Sequence, residues 1–380
     1  MRTPPLEGIR VLELASQYPG PYCSFLLAGM GAEVIKVERP GSGDPARQFP
    51  EFFLALNGSK KSLTVDLKSP EGREILYRLV KTSDVFLEGF RPGVAARLRI
   101  DFEAMREVNS KLIYCSISGY GQQGPYKNLP GHDLNYVAMA GMLHCFRDEN
   151  GNFITPGIAI ADLSAGMFAA IGILGCLHGR NKMGEGAFID ISMFDGLLSW
   201  MSTRLSILWA TGKFERDRDA GYGIFMGNDN NYFTLAIAHE DWFWDRLCAA
   251  IGLTGRQGIK AKERRARKAE LAKELQTIFS TRPSHEWVHA LIEADVPVAP
   301  IKAPEEIESD PHVIERKMLQ DVDLPEGRRV KLVGFPIKIL GMPQRVMTRP
   351  PALGEHTEEI LEALGYEEEA VRGLRERGIV

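Results

Sequence analysis

The feature that most constrains the fold is a repeated alternation of short apolar segments with helical segments early in the chain. Segments 8–15 (GIRVLELA) and 32–38 (AEVIKVE) have the composition of buried strands, and a short helix is predicted between them at 20–30. A second helix is predicted at 69–84, where Ser-Pro precedes apolar residues at helical spacing, and the strand 112–118 (LIYCSIS) follows it. Strands that alternate with helices predict an α/β fold with a mostly parallel sheet.

The later part of the chain changes character. Two apolar helices around a strand are predicted between 161 and 212, and residues 231–345 combine strands with a basic helical stretch. A length of 380 residues also favours two domains over one. We therefore predict a large α/β domain at 1–220, a smaller α+β domain at 225–330, and a C-terminal segment at 331–380 that returns to the large domain.

Charge and cysteine content exclude several classes of protein. A net charge of -4 gives no global attraction to nucleic acid or to an anionic membrane, and the glutamates within the basic stretch 260–279 predict a solvated helix face. The most apolar stretch, 163–177, is shorter than the roughly 20 residues of a membrane span. Five scattered cysteines without a C-x-x-C pair argue against a disulfide framework or a zinc site. We predict a cytoplasmic protein with no metal, nucleic-acid or membrane partner.

The string GYGQQG at 119–124 has the spacing of the glycine-rich loop that binds dinucleotides. That loop must open directly into a helix whose N-terminus meets the pyrophosphate. Pro125 and Pro130 interrupt the segment that would have to form this helix. The segment is therefore predicted to be the lip of an active site, where glycines let the backbone approach a ligand.

Four charged residues are candidates for chemistry, and each also has a structural interpretation. Arg39 follows a predicted strand, where phosphates bind in open α/β sheets, but it could be an ordinary surface residue. Asp162 precedes an apolar helix and could be its N-cap, although a helix N-terminus would also hold its carboxylate ionised. His132 lies in a loop, and Glu240 lies in the first turn of a predicted helix, where an acidic side chain is favourable whatever its function.

Several ordered segments together resemble the superfamily of family III CoA-transferases and α-methylacyl-CoA racemases, and they cover nearly the whole chain. The resemblance, which is closest to the racemases, implies a large Rossmann-like domain, a smaller domain and an interlocked homodimer. The segments are GIRVLELASQYPGPYC, GAEVIKVERPG, NGSKKSLTVDLKSPEGREIL, SDVFLEGFRPG, LIYCSISGYGQQGPY, GHDLNY, IADLSAGMFAAIGIL and LGEHTEEIL.

The resemblance implies a site for the CoA part of an acyl-CoA thioester and no cofactor beyond that CoA moiety. CoA carries several negative charges, which arginine and lysine side chains can bind even in an acidic protein. The residues that the resemblance implies for CoA binding are Arg39, Lys60, Lys61, Thr64, Val65, Asp66, Leu67, Arg91, Gly131, Asp133, Asn135 and Tyr136.

The resemblance also implies a catalytic set of His132, Asp162 and Glu240. In a racemase, His132 and Asp162 would exchange the α-proton on opposite faces of the substrate carbon, and Glu240 would orient the histidine. In a CoA-transferase, Asp162 would attack the thioester and carry CoA as an aspartyl thioester. The triple favours a racemase of 2-methylacyl-CoA thioesters. A transferase is the alternative, and a non-catalytic relative would fit if Asp162 were only a helix cap.

Two further features bear on this choice. Several transferases of the superfamily have a glycine-rich loop over the acyl group, whereas the comparable stretch here, AGYGIFMGNDNN, has isolated glycines, which disfavours a transferase. The acyl pocket is expected to be apolar. Its candidates lie near the motifs, although each is better interpreted as a core residue: Met139, Met142, Leu143 and Trp242.

Overall fold

The chain divides into two units, of which residues 1–203 and 314–380 form the first and residues 204–313 form the second. The smaller domain predicted at 225–330 overlaps the second unit, but its limits lie later in the chain. This computed structural model describes residues 3–148, 150–214, 219–325, 327–342 and 346–380.

Six parallel strands form the sheet of the first unit, in the order β3-β2-β1-β4-β5-β6, and β10 pairs with β11 as an antiparallel hairpin. The predicted α/β fold with a parallel sheet is confirmed. The strands are β1 (Arg10–Glu13), β2 (Glu33–Glu38), β3 (Lys61–Thr64), β4 (Val85–Glu88), β5 (Ile113–Ser118), β6 (Ala187–Ser192), β7 (Tyr222–Met226), β8 (Tyr232–Ala236), β9 (Val298–Pro300), β10 (Leu319–Asp323) and β11 (Arg329–Val333).

Helices connect these strands, and local sequence explains where several of them begin. In α3, for example, the Ser69 hydroxyl accepts a hydrogen bond from the N–H of Gly72, and Pro70 occupies the first helical position. The helices are α1 (Pro19–Gly29), α2 (Pro50–Asn57), α3 (Pro70–Lys81), α4 (Val94–Leu98), α5 (Phe102–Val108), α6 (Asp133–Met139), α7 (Ile160–Met183), α8 (Met193–Trp200), α9 (Ser202–Thr211), α10 (Asp241–Ala250), α11 (Ala261–Ala266), α12 (Lys268–Phe279), α13 (Ser284–Glu293), α14 (Pro311–Glu315), α15 (Thr357–Ala363) and α16 (Glu368–Glu376).

The parallel sheet has a buried core on each face. Residues of α1 and α7 cover one face, and residues of α3, α5, α15 and α16 cover the other. The strand order reverses between β1 and β4, so a crevice opens at the carboxyl ends of these two strands, where open α/β sheets bind ligands. The loops that follow β1 to β5 therefore determine the functional site.

Helix α7 extends beyond both ends of the apolar stretch 163–177. The segment Ile160–Lys182 has 23 residues, and its most apolar window has a mean hydropathy of 1.9, so by length and composition alone it could span a membrane. The expectation that this region is too short for a span is therefore wrong. In this fold 39% of that window is buried, and Ala165 and Ala169 belong to the core that also contains residues of α1.

The second unit has its own core around the antiparallel sheet β7-β8-β9. Phe233, Trp244 and Phe279 are fully buried in it. The basic stretch is divided between α11 and α12, and Arg264 is fully buried, where its guanidinium pairs with Asp219 at 2.8 Å and Asp241 at 2.7 Å. The prediction of a solvated helix face is therefore wrong for Arg264, because partners distant in sequence neutralise its charge.

Candidate active site

A cavity of about 240 Å³ lies at the carboxyl ends of β1, β2 and β3. Its walls come from the turns after these strands and from Phe90, two residues beyond the end of β4. Of the residues implied for CoA binding, Arg39, Val65, Asp66 and Leu67 line this cavity. The position agrees with the rule that ligands bind where the strand order reverses.

Two exposed cations, Arg39 and Lys68, line the cavity. Neither side chain has a hydrogen-bond or ion-pair partner among the described residues, so both charges are available to an anionic ligand. The set of implied residues omits Lys68, although it follows Leu67 directly at the end of the same segment. The signal that could have found Lys68 is its position four residues beyond the carboxyl end of a parallel strand.

Lys60 belongs to a group of four buried side chains that we call the buried charge cluster: Glu13, Lys36, Asp44 and Lys60. The Lys60 ammonium donates to Glu13 at 2.8 Å, and Lys36 pairs with Glu13 at 2.7 Å and with Asp44 at 2.8 Å. Burial alone would raise the pKa of Glu13, but the two lysines outweigh it and lower that pKa to about 2. Burial also lowers the pKa of Lys60 to about 8. Lys36 and Asp44 line the cavity, whereas Lys60 does not.

Lys61 and Thr64 are also engaged by other parts of the chain. Lys61 opens β3 at its amino end and pairs with Glu33 at 3.2 Å and Glu359 at 2.7 Å. The backbone N–H of Thr64 donates to the hydroxyl of Thr357 at 3.1 Å. The structure does not bring either side chain to the cavity lining.

Tyr136 orders the loop after β5 and lies within the electrostatic reach of Arg91 from the segment after β4. Its hydroxyl donates to the carbonyl of Gly131 at 2.6 Å, and a side chain at Gly131 would collide with its ring. Burial raises the pKa of Tyr136 to about 12, with further raising contributions from Tyr120 and Asp162 and a lowering one from Arg91. Arg91 and Asp162 therefore both act on Tyr136. These interactions place Gly131 and Tyr136 in the framework that joins the two loops.

Asp133 provides the cap that the sequence suggested for Asp162. Its carboxylate accepts from the backbone N–H of Ala161 at 2.6 Å and of Asp162 at 3.3 Å, in the first turn of α7. A helix start leaves such N–H groups unpaired, so this contact satisfies them. Asp162 therefore does not cap α7, and its side chain has no hydrogen-bond partner in the described part of the chain.

The electrostatic environment of Asp162 favours its protonated form. Burial and, to a lesser extent, the nearby Asp133 carboxylate together raise its pKa to about 7. Both effects penalise a second negative charge at the same helix end. A carboxyl group with a pKa near neutrality can give or take a proton at physiological pH. Asp162 also raises the pKa of Tyr18, which lies two residues beyond the cavity residue Ser16.

His132 is the residue before Asp133, so it lies directly beside the junction of α6 and α7. It is exposed and immediately precedes α6, and its backbone N–H donates to the side-chain oxygen of Asn135 at 3.0 Å. Asn135 thus has a local role at the start of α6. The Asp133 contacts bring the segment that carries His132 to the helix end that carries Asp162.

Glu240 belongs to the second unit and immediately precedes α10. Its carboxylate accepts from the backbone N–H groups of Ala238 and His239, both at 3.0 Å, and backbone N–H donors, its own first, lower its pKa. These bonds explain Glu240 as an acid that orders its own turn. A role in orienting His132 stays a prediction.

Comparison with known proteins identifies the family. Residues 6–357 match CoA-transferase family III. The chain belongs to CoA-transferase family III. It is 33% identical to an acyl-CoA transferase of Fusarium pseudograminearum, over 99% of this chain and 88% of the relative, and 33% identical to the human alpha-methylacyl-CoA racemase, over 99% and 97%. A CAIB/BAIF family protein from Brucella suis has the same fold, with a TM-score of 0.84, 29% identity, and coverage of 96% of this chain and 100% of that chain.

Membership of family III confirms the resemblance, and it includes enzymes of both predicted reaction types. The GYGQQG segment has no helix before Asp133, and Gly121 and Gly124 adopt positive φ angles, as the interpretation against a dinucleotide loop requires. Of the acyl-pocket candidates, Met142 is buried, Met139 is exposed and Leu143 is intermediate, while Trp242 is exposed in the second unit. Within the described ranges, no three His, Cys, Asp or Glu side chains are grouped as metal ligands would be.

Proposed function

We propose that this family III enzyme epimerises 2-methylacyl-CoA thioesters by two-base proton transfer between His132 and Asp162. The observation that carries the proposal is the state of Asp162: a partly buried carboxyl group with a pKa of about 7 and no hydrogen-bond partner among the described residues. General acid–base groups work best when their pKa lies near the working pH. A nucleophile that had to stay ionised would be better served by cationic or hydrogen-bonded surroundings.

In the proposed reaction, neutral His132 removes the α-proton of one epimer and becomes positively charged. The electron pair left on the carbon delocalises into the thioester carbonyl as an enolate. Protonated Asp162 then gives its proton to the opposite face of that carbon, which forms the other epimer and leaves an ionised carboxylate. The reverse transfer converts the second epimer back, with Asp162 as base and His132 as acid.

The cavity at the carboxyl ends of β1 to β3 is proposed to hold the nucleotide part of CoA, with Arg39 and Lys68 on its phosphates. Ser16 lines this cavity, and Tyr18, two residues further along the chain, has a pKa that is raised by burial and by the charge of Asp162. We therefore expect the CoA arm to extend from the cavity along this segment, with the thioester at Asp162.

The test is to incubate a single epimer of a 2-methylacyl-CoA with the protein in D₂O and to follow the α-carbon by NMR. Deuterium should enter the α-position as the other epimer forms. Asp162→Asn and His132→Ala should each abolish this exchange, because each lacks one of the two bases. Undiminished epimerisation by His132→Ala would show that the two-base assignment is wrong.

The second candidate is CoA transfer through an aspartyl-CoA thioester on Asp162. It is favoured by the likeness to the acyl-CoA transferase of Fusarium pseudograminearum, and it requires the ionised Asp162 carboxylate to attack the thioester. A parallel sample with succinate separates the two reactions. CoA appearing on succinate without deuterium at the α-carbon would support the transferase, and His132→Ala should then retain activity.

We also propose that the enzyme works as an interlocked homodimer in the cytoplasm. Met167 and Ile171 lie four residues apart on α7 and are 42% and 60% exposed. Large exposed apolar side chains on one face of a helix are typical of an interface. On the other face of the sheet, Phe188 of the edge strand β6 is also 42% exposed. The five cysteines are free thiols, which suits a reducing compartment. Light scattering should give twice the chain mass, independent of dilution.

A further inference from the structure

Three polar side chains form a row across the carboxyl edge of the parallel sheet. Glu88 of β4 is paired in register with Ser116 of β5, and Ser116 with Asp190 of β6. Since alternate residues of a strand share a face, this row directly follows the aromatic row of Phe86, Tyr114 and Phe188 on the same face. None of the proposed acid–base steps uses this row.

Glu88 lies at the centre of a set of hydrogen bonds that reaches two loops. It is only 3% exposed, and its carboxylate accepts from the backbone N–H of Phe90 at 2.6 Å. Ser116 is its partner in register on β5, and the Ser116 hydroxyl lowers the pKa of this carboxylate as a hydrogen-bond donor. Ser116 in turn accepts from the side-chain amide of Gln122 at 2.8 Å. The backbone N–H of Gln122 donates to Asp190 at 2.9 Å.

These contacts attach both segments that border the proposed site. The segment after β4 carries Phe90, which lines the CoA cavity, and Arg91, which acts on Tyr136. The segment after β5 carries Gln122 and leads through residues 123–130, all of them exposed, to His132. One buried carboxylate therefore connects the wall of the cavity with the start of the loop that carries the proposed base.

We propose that Glu88 is a positioning residue for the acyl-CoA reaction, which holds the segment after β4 directly and the segment after β5 through Ser116 and Gln122. This inference rests on the proposed function for its effect on turnover. The effect on the two segments themselves is independent of which reaction the enzyme performs.

The donor and acceptor pattern explains why a carboxylate is needed at this position. The Phe90 N–H donates to one carboxylate oxygen, and the Ser116 hydroxyl is a second donor that acts on the group. A glutamine has one acceptor oxygen and an NH₂ group, so it can accept from the Phe90 N–H but has only an N–H donor left for the Ser116 oxygen, and it carries no charge. Glu88→Gln therefore removes the charged acceptor from the chain of hydrogen bonds at almost unchanged side-chain volume.

The experiment must be done at a pH at which the Glu88 carboxylate is ionised. Burial raises its pKa most, hydrogen bonds from Ser116 and Phe90 lower it, Asp190 on β6 raises it, and the net pKa is about 7. Tyr114 and Cys115 on β5 are the other titratable groups that feel its charge, and both stay neutral because their own pKa values are raised. Measurements at about pH 8 keep the wild-type carboxylate mostly ionised.

The experiment compares wild type with Glu88→Gln, Gln122→Ala and the control Glu107→Gln. Glu107 is an exposed carboxylate on α5, so its variant makes the same chemical change without the hydrogen-bond chain. Hydrogen exchange is followed in peptides covering 89–93 and 119–131. Binding of free CoA is measured by calorimetry, and kcat and KM are measured with the acyl-CoA that the wild type turns over.

We expect Glu88→Gln to accelerate exchange in both peptides, to weaken CoA binding about fivefold and to lower kcat about tenfold, as loss of a charged hydrogen bond implies. Gln122→Ala should accelerate exchange only in 119–131 and lower kcat, with KM changed by less than about twofold. Glu107→Gln should match wild type. A general loss of stability in Gln122→Ala would not lower kcat while leaving KM nearly unchanged.

Exchange in Glu88→Gln that equals that of Glu107→Gln in both peptides would overturn the proposal. Equal effects of Glu88→Gln and Gln122→Ala on KM would also overturn it, because only Glu88 contacts the segment of the cavity wall. If wild type fails to turn over any acyl-CoA, the proposed function is wrong, while the exchange data still decide whether Glu88 positions the two segments.

Discussion

Two carboxylates of the first unit, the buried Glu13 and the half-buried Asp162, differ in one respect that separates their roles. Glu13 lies between Lys36 and Lys60, which lower its pKa to about 2, whereas Asp162 lies beside Asp133, and its pKa rises to about 7. Burial opposes the charged form in both. The presence of cationic partners decides the outcome: Glu13 is fixed as a structural anion, and Asp162 is left able to exchange a proton.

The largest expected effect comes from the unpaired carboxylate. Asp162→Asn should reduce turnover of acyl-CoA by about 10²–10⁴-fold, because it removes one general acid–base group or the nucleophile. Its circular dichroism and urea midpoint should not fall, since Asp133 provides the cap of α7. A large loss of stability in Asp162→Asn would contradict the comparison, because it would make Asp162 a structural anion like Glu13.

The paired carboxylate should behave in the opposite way. Glu13→Gln removes the partner of two buried lysines, and loss of one member of a buried ion pair costs about 3–5 kcal/mol. The free energy of unfolding, measured with urea, should fall by this amount, and the refolded enzyme should retain kcat. A loss below about 1 kcal/mol would show that Lys36 and Lys60 do not depend on Glu13.

The sequence predicted those features that depend on contacts between residues close together in the chain, and it failed for those that depend on distant residues. The alternation of strands and helices is local, so the parallel sheet and the helix that begins after Ser69 could be predicted. The motifs also located Arg39 at the cavity. The cap of α7 could not be found in this way, because it comes from Asp133, 28 positions earlier in the chain. Two adjacent lysines likewise suggested a phosphate site, but Lys60 is buried against Glu13 from β1.

The comparison also predicts how stability depends on pH. The pKa of Asp162 is raised above its ordinary value of 3.8 to about 7, so the folded state binds the proton more tightly than the unfolded state. The protonated form thus supports folding below about pH 4, and this contribution is lost as pH rises through about 7. At about pH 8, Asp162→Asn should be more stable than wild type by about 2 kcal/mol, a value discounted for partial exposure.

Urea unfolding of both proteins across this range provides the measurement. The difference between them should shrink towards zero below about pH 3, where wild-type Asp162 is mostly protonated in both states. A difference that does not change with pH would mean that Asp162 is ionised throughout, and the comparison with Glu13 would lose its basis.

The smallest expected effect concerns cations. We separate them by the same criterion as the two carboxylates, which is whether a charged partner is present. Lys68 and Arg39 have no partner among the described residues and line the cavity, so Lys68→Ala and Arg39→Ala should each weaken CoA binding about tenfold at low salt. Lys61, which the resemblance implies for the same ligand, is paired with Glu33 and Glu359. Lys61→Ala should therefore change the affinity by less than about twofold.

Calorimetric titration with CoA at two salt concentrations tests this difference. The loss in Lys68→Ala should diminish as salt is raised, because an exposed cation acts on the phosphates through a screened interaction. If Lys61→Ala weakened binding as much as Lys68→Ala, a cation already paired with two carboxylates would still attract the ligand. Pairing would then not separate structural from functional charges in this protein, and Asp162 would have to be distinguished from Glu13 by its position alone.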